Sequence, residues 1–492
     1  MDSPILSTAQ MRTAEEAAFA RGVAVEALMD QAGAGLARVV RQFFPQPQTC
    51  VVFAGKGHNG GDALVAAKHL QRGGWKIDLR LPFAENDCSE LTHKKLQQLR
   101  EAGSDDSEAG PRTIILDGLL GLGAKSFLRE PIRSAAREIN RMRRERNAFV
   151  FAVDLPTGLD GSTGEMDPED SVIADFTVTI GFAKHGLILD SALDLVGRIE
   201  VVPLVDLVTD AAPNDLVATA NSLRSLLPRR KFSAYKNQFG RIGVVAGSQG
   251  FVGAALMTTR GALLAGAGLV DVFVPEDIYE IVAAAAPVEA MVKPVRSYKN
   301  LLEEKIDVWS VGPGLGTARA GEILNLIERA EQPMIVDADG LNVLAGKVDV
   351  LQRCRGPRLI TPHPGEMSRL VDIGKMSRTG VARNFCDHFP ATLLFKGSRT
   401  IVCERGQPLS YNTTGNPGMA SGGMGDVLTG VCAGLAGQKL SLFDSARVGA
   451  WACGRAAEIS IFNFGASEES LLATNVLDHL GAAFNEIRDP LV

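Results

Sequence analysis

The sequence predicts two α/β domains, each built on a mainly parallel β-sheet with helices on both faces. The chain has 492 residues, which is more than a single hydrophobic core usually organises. In each half, short unbroken apolar segments alternate with segments in which apolar residues recur every three or four positions. Unbroken apolar strands separated by helices are typical of a parallel sheet that is buried on both faces.

The first domain is predicted from a helical segment and the apolar strands that follow it. Apolar residues recur at helical spacing over 11–44, so this segment should pack against the sheet. Together they indicate a Rossmann-like, three-layer α/β domain that ends near residue 205. The predicted strands lie at 49–55, 75–81, 113–121, 149–156 and 175–181.

The second domain repeats this alternation over a longer stretch. Residues 205–222 are weakly periodic and carry Pro, Asp and Asn, so we expect a linker there and domains at 1–212 and 222–492. Helices expected at 253–268 and 445–464 again indicate a three-layer α/β domain. The predicted strands lie at 241–247, 269–275, 307–314, 333–340, 358–365 and 392–406.

The composition excludes several classes of partner and location. A formal net charge of −6 gives no indication of binding to nucleic acid or to an anionic membrane. The seven cysteines show no CxxC pair and no zinc-like spacing, which indicates reduced thiols. Neither a signal peptide nor an apolar run long enough for a membrane span is expected. We therefore expect a cytoplasmic enzyme that acts on small molecules.

A glycine-rich loop follows the first predicted strand. Its sequence, GKGHNGGDALVAAKHL over 55–70, opens a helix. Glycines let the backbone pass close to a ligand, and the free N–H groups at a helix start attract an anion. The motif is neither GxGxxG nor a Walker loop. It predicts an anion or nucleotide site, with an ordinary strand-to-helix turn as the alternative.

Two further strands of this half end in acidic residues. Asp117 closes the strand before GLLGLGAKSF, and Asp154 opens the segment DLPTGLD. Ligands of open parallel sheets bind at the carboxyl ends of the strands, so we expect these loops to converge with the glycine-rich loop. Either acid could instead cap the helix that follows it.

The strongest motif of the chain is GNPGMASGGMGDVLTGVCAGLAG over 415–437. Its glycines lead into an apolar helix that carries Gly425 and Asp426 at its start. Backbone amides at such a helix start can hold a phosphoryl group that is being transferred. Asp426 would then lie beside a substrate hydroxyl as the general base. The alternative is an acid that only complements the helix dipole.

The N-terminal half resembles the NAD(P)HX epimerase family over nearly all of residues 10–205. The resemblance rests on the glycine-rich loop, on the strand that ends in Asp117 and on VDLPTGL. It implies that Asn59, Asp117 and Thr157 bind a potassium ion and that Asp154 is the acid/base group. His58 and Ala63 depart from the family pattern. Substrate contacts are implied for His58, Asn59, Gly60, Gly61, Asp62, Gly121, Leu122, Gly123, Ala124, Lys125, Ser126, Phe127 and Asp154.

The C-terminal half resembles the ADP/ATP-dependent NAD(P)HX dehydratases of the ribokinase-like superfamily over roughly residues 225–480. Matching segments lie at 239–275, 311–316, 336–342, 361–370 and 394–402. The segment 233–240 departs from the family but keeps Lys236. The resemblance implies that Ala254, Gly314, Gly316, His363 and Asp426 contact the hydrated nucleotide, and that Lys396, Gly397, Ser398, Arg399, Thr400 and Gly425 hold the adenine nucleotide. Asp337 and Asp339, at a strand end, are candidates for contacting substrate or a hydrated Mg²⁺.

The two resemblances together imply repair of hydrated NADH and NADPH. The N-terminal half would epimerise the hydrate at C6. The C-terminal half would dehydrate the (S)-hydrate, converting ADP to AMP and phosphate or ATP to ADP and phosphate. The alternatives are a vitamin-precursor kinase of the ribokinase-like superfamily and a nucleotide-binding regulatory module. We expect a homo-oligomer. Its other expected partners are the hydrated NADH or NADPH and the adenine nucleotide.

Overall fold

The computed structural model describes residues 3–103, 109–123, 127–210, 212 and 214–490. These residues divide into two compact units, 3–214 and 215–490. Among the expected substrate contacts, Ala124, Lys125 and Ser126 lie outside the described residues. No helix in the described part of the chain is both long enough and apolar enough to cross a membrane.

The first unit contains a parallel sheet and a separate parallel pair of short strands. Its strands are β1 (Ser3–Leu6), β2 (Thr49–Ala54), β3 (Lys76–Arg80), β4 (Thr113–Gly118), β5 (Phe149–Val153), β6 (Phe176–Ile180), β7 (Ala183–Lys184) and β8 (Arg198–Val202). The sheet has the order β3-β2-β4-β5-β6-β8, and β1 pairs with β7. The helices are α1 (Thr8–Ala20), α2 (Val25–Phe43), α3 (His58–Gln71), α4 (Glu90–Glu101), α5 (Ile132–Arg146), α6 (His185–Ile188) and α7 (Leu193–Val196).

Both faces of this sheet are covered. Neighbouring residues of a strand point to opposite faces, yet Val51 and Val52 are both buried. Val51 belongs to a cluster that the apolar stripe of α5 closes, including Ile139. The glycines of α2 let it pack closely, because a Cβ on Gly33 would clash with Val65 of α3. The sheet therefore holds the loops at its carboxyl edge on a rigid base.

The second unit contains a larger sheet. Its strands are β9 (Asp215–Ala218), β10 (Arg241–Val245), β11 (Leu269–Pro275), β12 (Ala290–Val295), β13 (Val308–Val311), β14 (Met334–Val336), β15 (Arg358–Ile360), β16 (Thr392–Phe395), β17 (Ile401–Cys403) and β18 (Leu409–Asn412). Their order is β12-β11-β10-β13-β14-β15-β16-β17-β18-β9. The pairings are parallel except those of β17, which runs antiparallel to β16 and β18.

The helices of the second unit fill the gaps between strands. They are α8 (Ala220–Leu223), α9 (Val252–Leu264), α10 (Tyr279–Ala285), α11 (Ala320–Arg329), α12 (Asp339–Leu344), α13 (Pro364–Leu370), α14 (Arg378–His388), α15 (Met424–Gly437), α16 (Leu442–Phe462) and α17 (Ala473–Arg488). α15 lies very close to α9, since a Cβ on Gly430 would clash with the carbonyl oxygen of Thr258. α15 and most of α16 are buried within the core.

The expected fold class, α/β with mainly parallel sheets in both halves, is confirmed by the two sheets. The segment expected as the linker is shorter than 205–222, because Asp215–Ala218 form strand β9 beside β18. Leu216 and Val217 are buried there, and Asp215 forms an ion pair of 2.5 Å with Arg383. Apolar burial thus draws the second half of this polar segment into the sheet.

Candidate active sites

In the first unit, the glycine-rich loop closes one side of a cavity of about 430 Å³. The loop turns directly into α3, whose N-cap is Gly57. A Cβ on Gly60 would clash with the carbonyl oxygen of Gly55, so only glycine allows this close turn. The lining residues are Met11, Glu15, Lys56, Gly57, His58, Asn59, Asp62, Phe83, Leu119, Leu120, Gly121, Leu122, Gly123, Asp154 and Ile180.

Asp154 follows β5 and forms an ion pair with a buried lysine, Lys184 of β7. Its Oδ1 also accepts hydrogen bonds from Ile180 N at 3.0 Å and Thr179 Oγ1 at 3.3 Å. Lys184 Nζ further donates to Ile180 O at 2.9 Å and Thr179 Oγ1 at 3.1 Å. Among the described residues, Oδ2 of Asp154 has no such partner. Asp154 is therefore fixed through one oxygen and presents the other at the cavity wall.

The backbone of Asp154 supports this orientation. Its φ is +67°, in the left-handed region that L-residues rarely adopt but Asp tolerates better than most. Asp154 N donates to Val178 O at 2.9 Å, which ties this turn to the neighbouring strand. The chain therefore leaves β5 in a turn that directs the side chain toward β7 rather than along the strand.

Two more carboxyl groups line the same cavity. Asp62 lies in α3 and Glu15 in α1, and both side chains are half-buried. Burial, Asp154 and Glu15 raise the pKa of Asp62 well above its usual value, and Lys184 opposes them only in part. Burial and Asp154 likewise raise the pKa of Glu15. Like charges in a poorly hydrated space favour the neutral form of a carboxyl group.

Asp117 and Thr157 lie beneath the cavity floor and are fully buried. Thr157 donates to Asp117 through its backbone N at 2.8 Å and its hydroxyl at 2.7 Å, and Leu119 N donates at 3.3 Å. Burial raises the pKa of Asp117 to about 6 in spite of these bonds. Asn59 lines the cavity, and a Cβ on Gly121 would lie 3.2 Å from its Oδ1.

In the second unit, Asp426 lies in the first turn of α15, after Gly423 at φ +88°. Burial raises the pKa of Asp426 to about 6, and the charge of Asp337 adds to the shift. A Cβ on Gly425 would lie 3.3 Å from Lys396 Nζ. The helix start, a carboxyl group poised near neutrality and a lysine therefore meet at one point.

Lys396 is held by two buried acids. Its Nζ donates to Asp337 Oδ1 at 2.8 Å and lies 3.7 Å from Glu366 Oε2. The other oxygen of Asp337 accepts from Thr429 Oγ1 of α15 at 2.7 Å. Burial lowers the pKa of Lys396, but Asp337 and Glu366 more than offset it and the pKa is raised. Lys396 is therefore a fixed cation beside Asp426.

Arg378 of α14 shapes the loop that follows Lys396. Its guanidinium donates to the carbonyl oxygens of Phe395, Lys396 and Arg399 at 3.2–3.3 Å. It also stacks on the Phe395 ring at 5.0 Å. The segment 396–400 is thus wrapped around one side chain, with Gly397 and Ser398 exposed and Arg399 and Thr400 buried.

Two further loops approach the start of α9 and α12. Gly314 has φ +63°, and a Cβ there would lie 2.9 Å from that of Ala254. Gly316 N donates to Asp339 Oδ2 at 2.8 Å. Ala254, Gly314, Gly316 and Asp339 therefore form one patch of closely packed backbone, which is the kind of surface that an extended nucleotide can lie against.

Comparison with known proteins decides the family. Residues 25–186 match the family of the YjeF-related protein N-terminus, and residues 242–480 match the NAD(P)H-hydrate dehydratase family. The chain is 34% identical to the bifunctional NAD(P)H-hydrate repair enzyme Nnr of Moorella thermoacetica, over 92% of this chain and 91% of that protein. The chain belongs to the family of bifunctional NAD(P)H-hydrate repair enzymes. The bifunctional repair activity expected from the two resemblances is thereby confirmed.

A second relative agrees with this family. The bifunctional NAD(P)H-hydrate repair enzyme Nnr of Escherichia coli is 33% identical over 97% of this chain and 93% of its own length. The solved structure of the ADP/ATP-dependent NAD(P)H-hydrate dehydratase of Bacillus subtilis, co-crystallised with ATP and Mg²⁺, is 26% identical. It covers 55% of this chain and 97% of its own, with a TM-score of 0.48.

The structure brings together most of the substrate contacts expected in the epimerase half. His58, Asn59, Asp62, Asp154 and the segment 121–123 line one cavity. Gly60 and Gly61 are buried behind it, and Phe127 is exposed and does not line it. Of the three expected potassium ligands, Asn59 lines the cavity, and Asp117 and Thr157 are buried and do not line it.

The structure also shows residues that the sequence analysis missed. Lys184 and Glu15 stand beside Asp154 and Asp62, and Arg378 and Thr429 support the second site. Lys184, Glu15 and Arg378 lie in no glycine-rich motif, whereas Thr429 lies within the motif over 415–437 but was not singled out there. Only the tertiary fold brings β7 to the end of β5, so no local pattern in the sequence could identify Lys184.

His363 and Asp337 have roles that the sequence analysis did not expect. The His363 ring caps α13, with Nδ1 accepting from Gly365 N at 3.0 Å and Glu366 N at 3.2 Å. About half of its side chain remains exposed. Asp337 is buried, and its two oxygens accept hydrogen bonds from Lys396 Nζ and Thr429 Oγ1.

Proposed function

We propose that the two reactions of the family are divided between the two sites, with Asp154 acting in the first unit and Asp426 in the second. The observation that carries this is the grouping of several acids around a buried or largely buried lysine at each site, Asp62 and Glu15 near the Asp154–Lys184 pair and Asp426 near the Asp337–Lys396 pair. The epimerase function is assigned to residues 3–214 and the dehydratase function to residues 215–490, the two compact units of the fold.

Dehydration requires a better leaving group than hydroxide. Asp426 removes the proton of the C6 hydroxyl. The hydroxyl oxygen attacks the terminal phosphorus of ADP or ATP, and AMP or ADP departs. The ring-nitrogen lone pair then expels phosphate from C6, and loss of a C5 proton restores the double bond. Lys396 is placed to offset the charge on the phosphoryl oxygens. A pKa near 6 leaves Asp426 ionised, as a base must be, at neutral pH.

The adenine nucleotide would lie along the Lys396–Thr400 segment and the start of α15. Gly397 and Ser398 offer exposed backbone there, and Gly425 leaves room above Lys396. The hydrated nucleotide would occupy the patch of Ala254, Gly314 and Gly316, next to the exposed His363 ring. Mg²⁺ would accompany the nucleotide phosphates near Asp339, whose charge acts on Asp426 and which forms no ion pair with a lysine among the described residues.

A potassium ion fits the layer below the epimerase cavity. The Asp117 carboxyl is fully buried, and the groups that set its pKa include no cation. Asn59, Asp117 and Thr157 supply amide, carboxylate and hydroxyl oxygens, which suit a hard cation. A bound ion would compensate the Asp117 charge and stiffen the segment 118–121 above it.

We further propose a cytoplasmic location and a homo-oligomeric assembly. All seven cysteines are free thiols, which supports a reducing, cytoplasmic location. Ile281, Val288 and Met291 are exposed apolar side chains near the terminal strand β12, which supports a homo-oligomer.

One experiment tests the division of labour. The full chain is supplied with both C6 epimers of hydrated NADH and excess ADP or ATP, and the reduced-nicotinamide absorbance is followed. The native protein should recover the whole pool in one fast phase, whereas Asp154→Asn should recover one epimer quickly and the other at the unaided rate. A two-phase trace from the native protein would show that the first unit is not an epimerase.

A further inference from the structure

Asp62 lines the epimerase cavity, yet no hydrogen bond or ion pair within the described residues accounts for the position of its carboxyl group. It lies in the early part of α3, behind the glycine-rich loop. Within the described residues, its carboxyl group makes no hydrogen bond, and only burial and neighbouring charges act on it. An acid that is half-buried without a partner is costly to keep, so a ligand contact is the natural explanation.

The charged groups that face Asp62 come from three other elements. They are Glu15 of α1, Asp154 at the end of β5 and Lys184 of β7. Lys184 pairs directly with Asp154 and thus compensates that carboxylate. Asp62 has no cation of its own, and its raised pKa favours the protonated form. Of the three carboxyl groups that line the cavity, Asp154 is thus paired with a lysine, whereas Asp62 and Glu15 form no ion pair among the described residues.

We propose that Asp62 is the second catalytic residue of the epimerase, the proton donor to the ring nitrogen, acting opposite Asp154 as the base. This rests on the proposed epimerase function of the first unit. In many active sites, two carboxyl groups that lie in different environments act as the acid and the base. Opening the ring removes a proton from the C6 hydroxyl and adds one to the ring nitrogen bonded to C6, so the reaction requires two proton-transfer groups.

The reaction balances without any further reactant. Asp154 takes the proton of the C6 hydroxyl, the N1–C6 bond breaks with its electron pair on N1, and Asp62 protonates N1. This gives an open aldehyde, and N1 is a stabilised leaving group because it conjugates with the ring carboxamide. Rotation about C5–C6 turns the other carbonyl face to N1. Ring closure returns the proton from N1 to Asp62 and the proton of Asp154 to oxygen, so both groups recover their starting forms.

Glu15 is the competing donor, and the structure favours Asp62 over it. Arg12 lies near enough to lower the pKa of Glu15, so that Glu15 is partly compensated. Asp62 is carried by the helix whose first turn forms the cavity wall, whereas Glu15 reaches the cavity from α1. Rigid placement of the donor matters because proton transfer requires hydrogen-bond distance.

The test follows the interconversion of a single C6 epimer of hydrated NADH by the full-length protein without nucleotide, read by NMR over a range of pH. Asp62→Asn should slow interconversion by about 10²-fold or more. It should also abolish the fall in rate at high pH, where the native donor loses its proton. Asp62→Glu should restore part of the rate and the high-pH fall.

Two outcomes separate this proposal from the proposed function. If Asp62→Asn keeps a rate within about threefold of native and the same pH profile while Asp154→Asn is inactive, the donor role is wrong and the epimerase remains. If Glu15→Gln alone removes the high-pH fall, the donor is Glu15. Loss of nucleotide-driven dehydration in Asp62→Asn would reveal general misfolding, and the rescue by Asp62→Glu then decides.

Discussion

Asp154 and Asp337 invite comparison, because each follows a parallel strand and each contacts a lysine. Lys184 is completely buried against Asp154, and Lys396 is largely buried against Asp337. The two pairs differ in what remains free. Asp154 lines a cavity and has an oxygen without a partner among the described residues, whereas both oxygens of Asp337 are engaged.

The difference shows what a strand-end acid can and cannot indicate. Position at the carboxyl edge of a parallel sheet places both aspartates near a ligand. The remaining hydrogen-bonding capacity then decides the role. In our proposal Asp154 exchanges a proton through its remaining oxygen, whereas Asp337 fixes Lys396 and Asp426 of α15 acts as the base.

The largest expected effect tests the proposal that Asp426, and not Asp337, is the base of the second unit. Asp426→Asn keeps the shape of the side chain but removes the base, so dehydration should fall by about 10²–10⁴-fold. Nucleotide binding, measured by calorimetry, and epimer interconversion should be retained. Near-native dehydration by this variant would return Asp337 to consideration as the base.

The sequence could predict the positions of both sites because strands, glycine-rich loops and strand-end acids are local patterns. It predicted the strand that contains Asp117 and the strand that precedes Asp154, because most of their residues are apolar. It missed β12, whose sequence AMVKPV carries Lys and Pro and lies at the edge of the sheet. It also missed β9, where polar neighbours conceal a short buried strand.

Partners across the fold could not be predicted in the same way. Lys184 lies in the short segment AKHG, with no periodicity or glycine motif, and meets Asp154 only through the tertiary fold. The cap formed by His363 was equally hidden, because a histidine between two prolines can serve as ligand or cap. The choice depends on whether backbone N–H groups point at the ring, as they do here.

The next effect compares the two lysines directly. Replacing Lys184 by Met leaves Asp154 buried without its cation, which typically costs about 3–5 kcal/mol. Lys396→Met should cost less, because part of that side chain is exposed. Urea unfolding monitored by Trp75 for the first unit and Trp309 for the second measures each change. Lys94→Met, at an exposed pair with Glu26, is the control and should cost under about 1 kcal/mol.

Equal costs for Lys184→Met and Lys94→Met would contradict the buried pair. Equal losses in the free energy of unfolding for Lys184→Met and Lys396→Met would mean that the partial exposure of Lys396 does not make Asp337 easier to leave without its cation. Either result would weaken the parallel between the two pairs, and neither depends on measuring activity.

A smaller effect concerns pH. The Asp426 pKa is raised to about 6 from its usual 3.8, and the base must be ionised to act. Dehydration should therefore be constant above pH 7 and fall below pH about 6, by up to about tenfold per pH unit. The pH dependence of kcat/KM for hydrated NADH measures this limb, the fall in rate at low pH, which should be absent in Asp426→Asn. A limb near pH 4 would mean that Asp426 is better solvated than its burial indicates.

The smallest expected effect concerns Asp117, the third strand-end acid, which no lysine compensates within the described residues. If potassium takes that place, exchanging it for tetramethylammonium should slow epimer interconversion and leave dehydration unchanged. Potassium at about ten times its Kd would stabilise the first unit by about 1.4 kcal/mol, a shift in Tm of a few degrees. Thr157→Val should abolish both salt effects, because it removes one ligand oxygen without altering charge. Identical rates and unfolding in the two salts would leave Asp117 as a buried acid held only by Thr157 and Leu119, and would make Asp154 and Asp337 the only strand-end acids of this set with a cation.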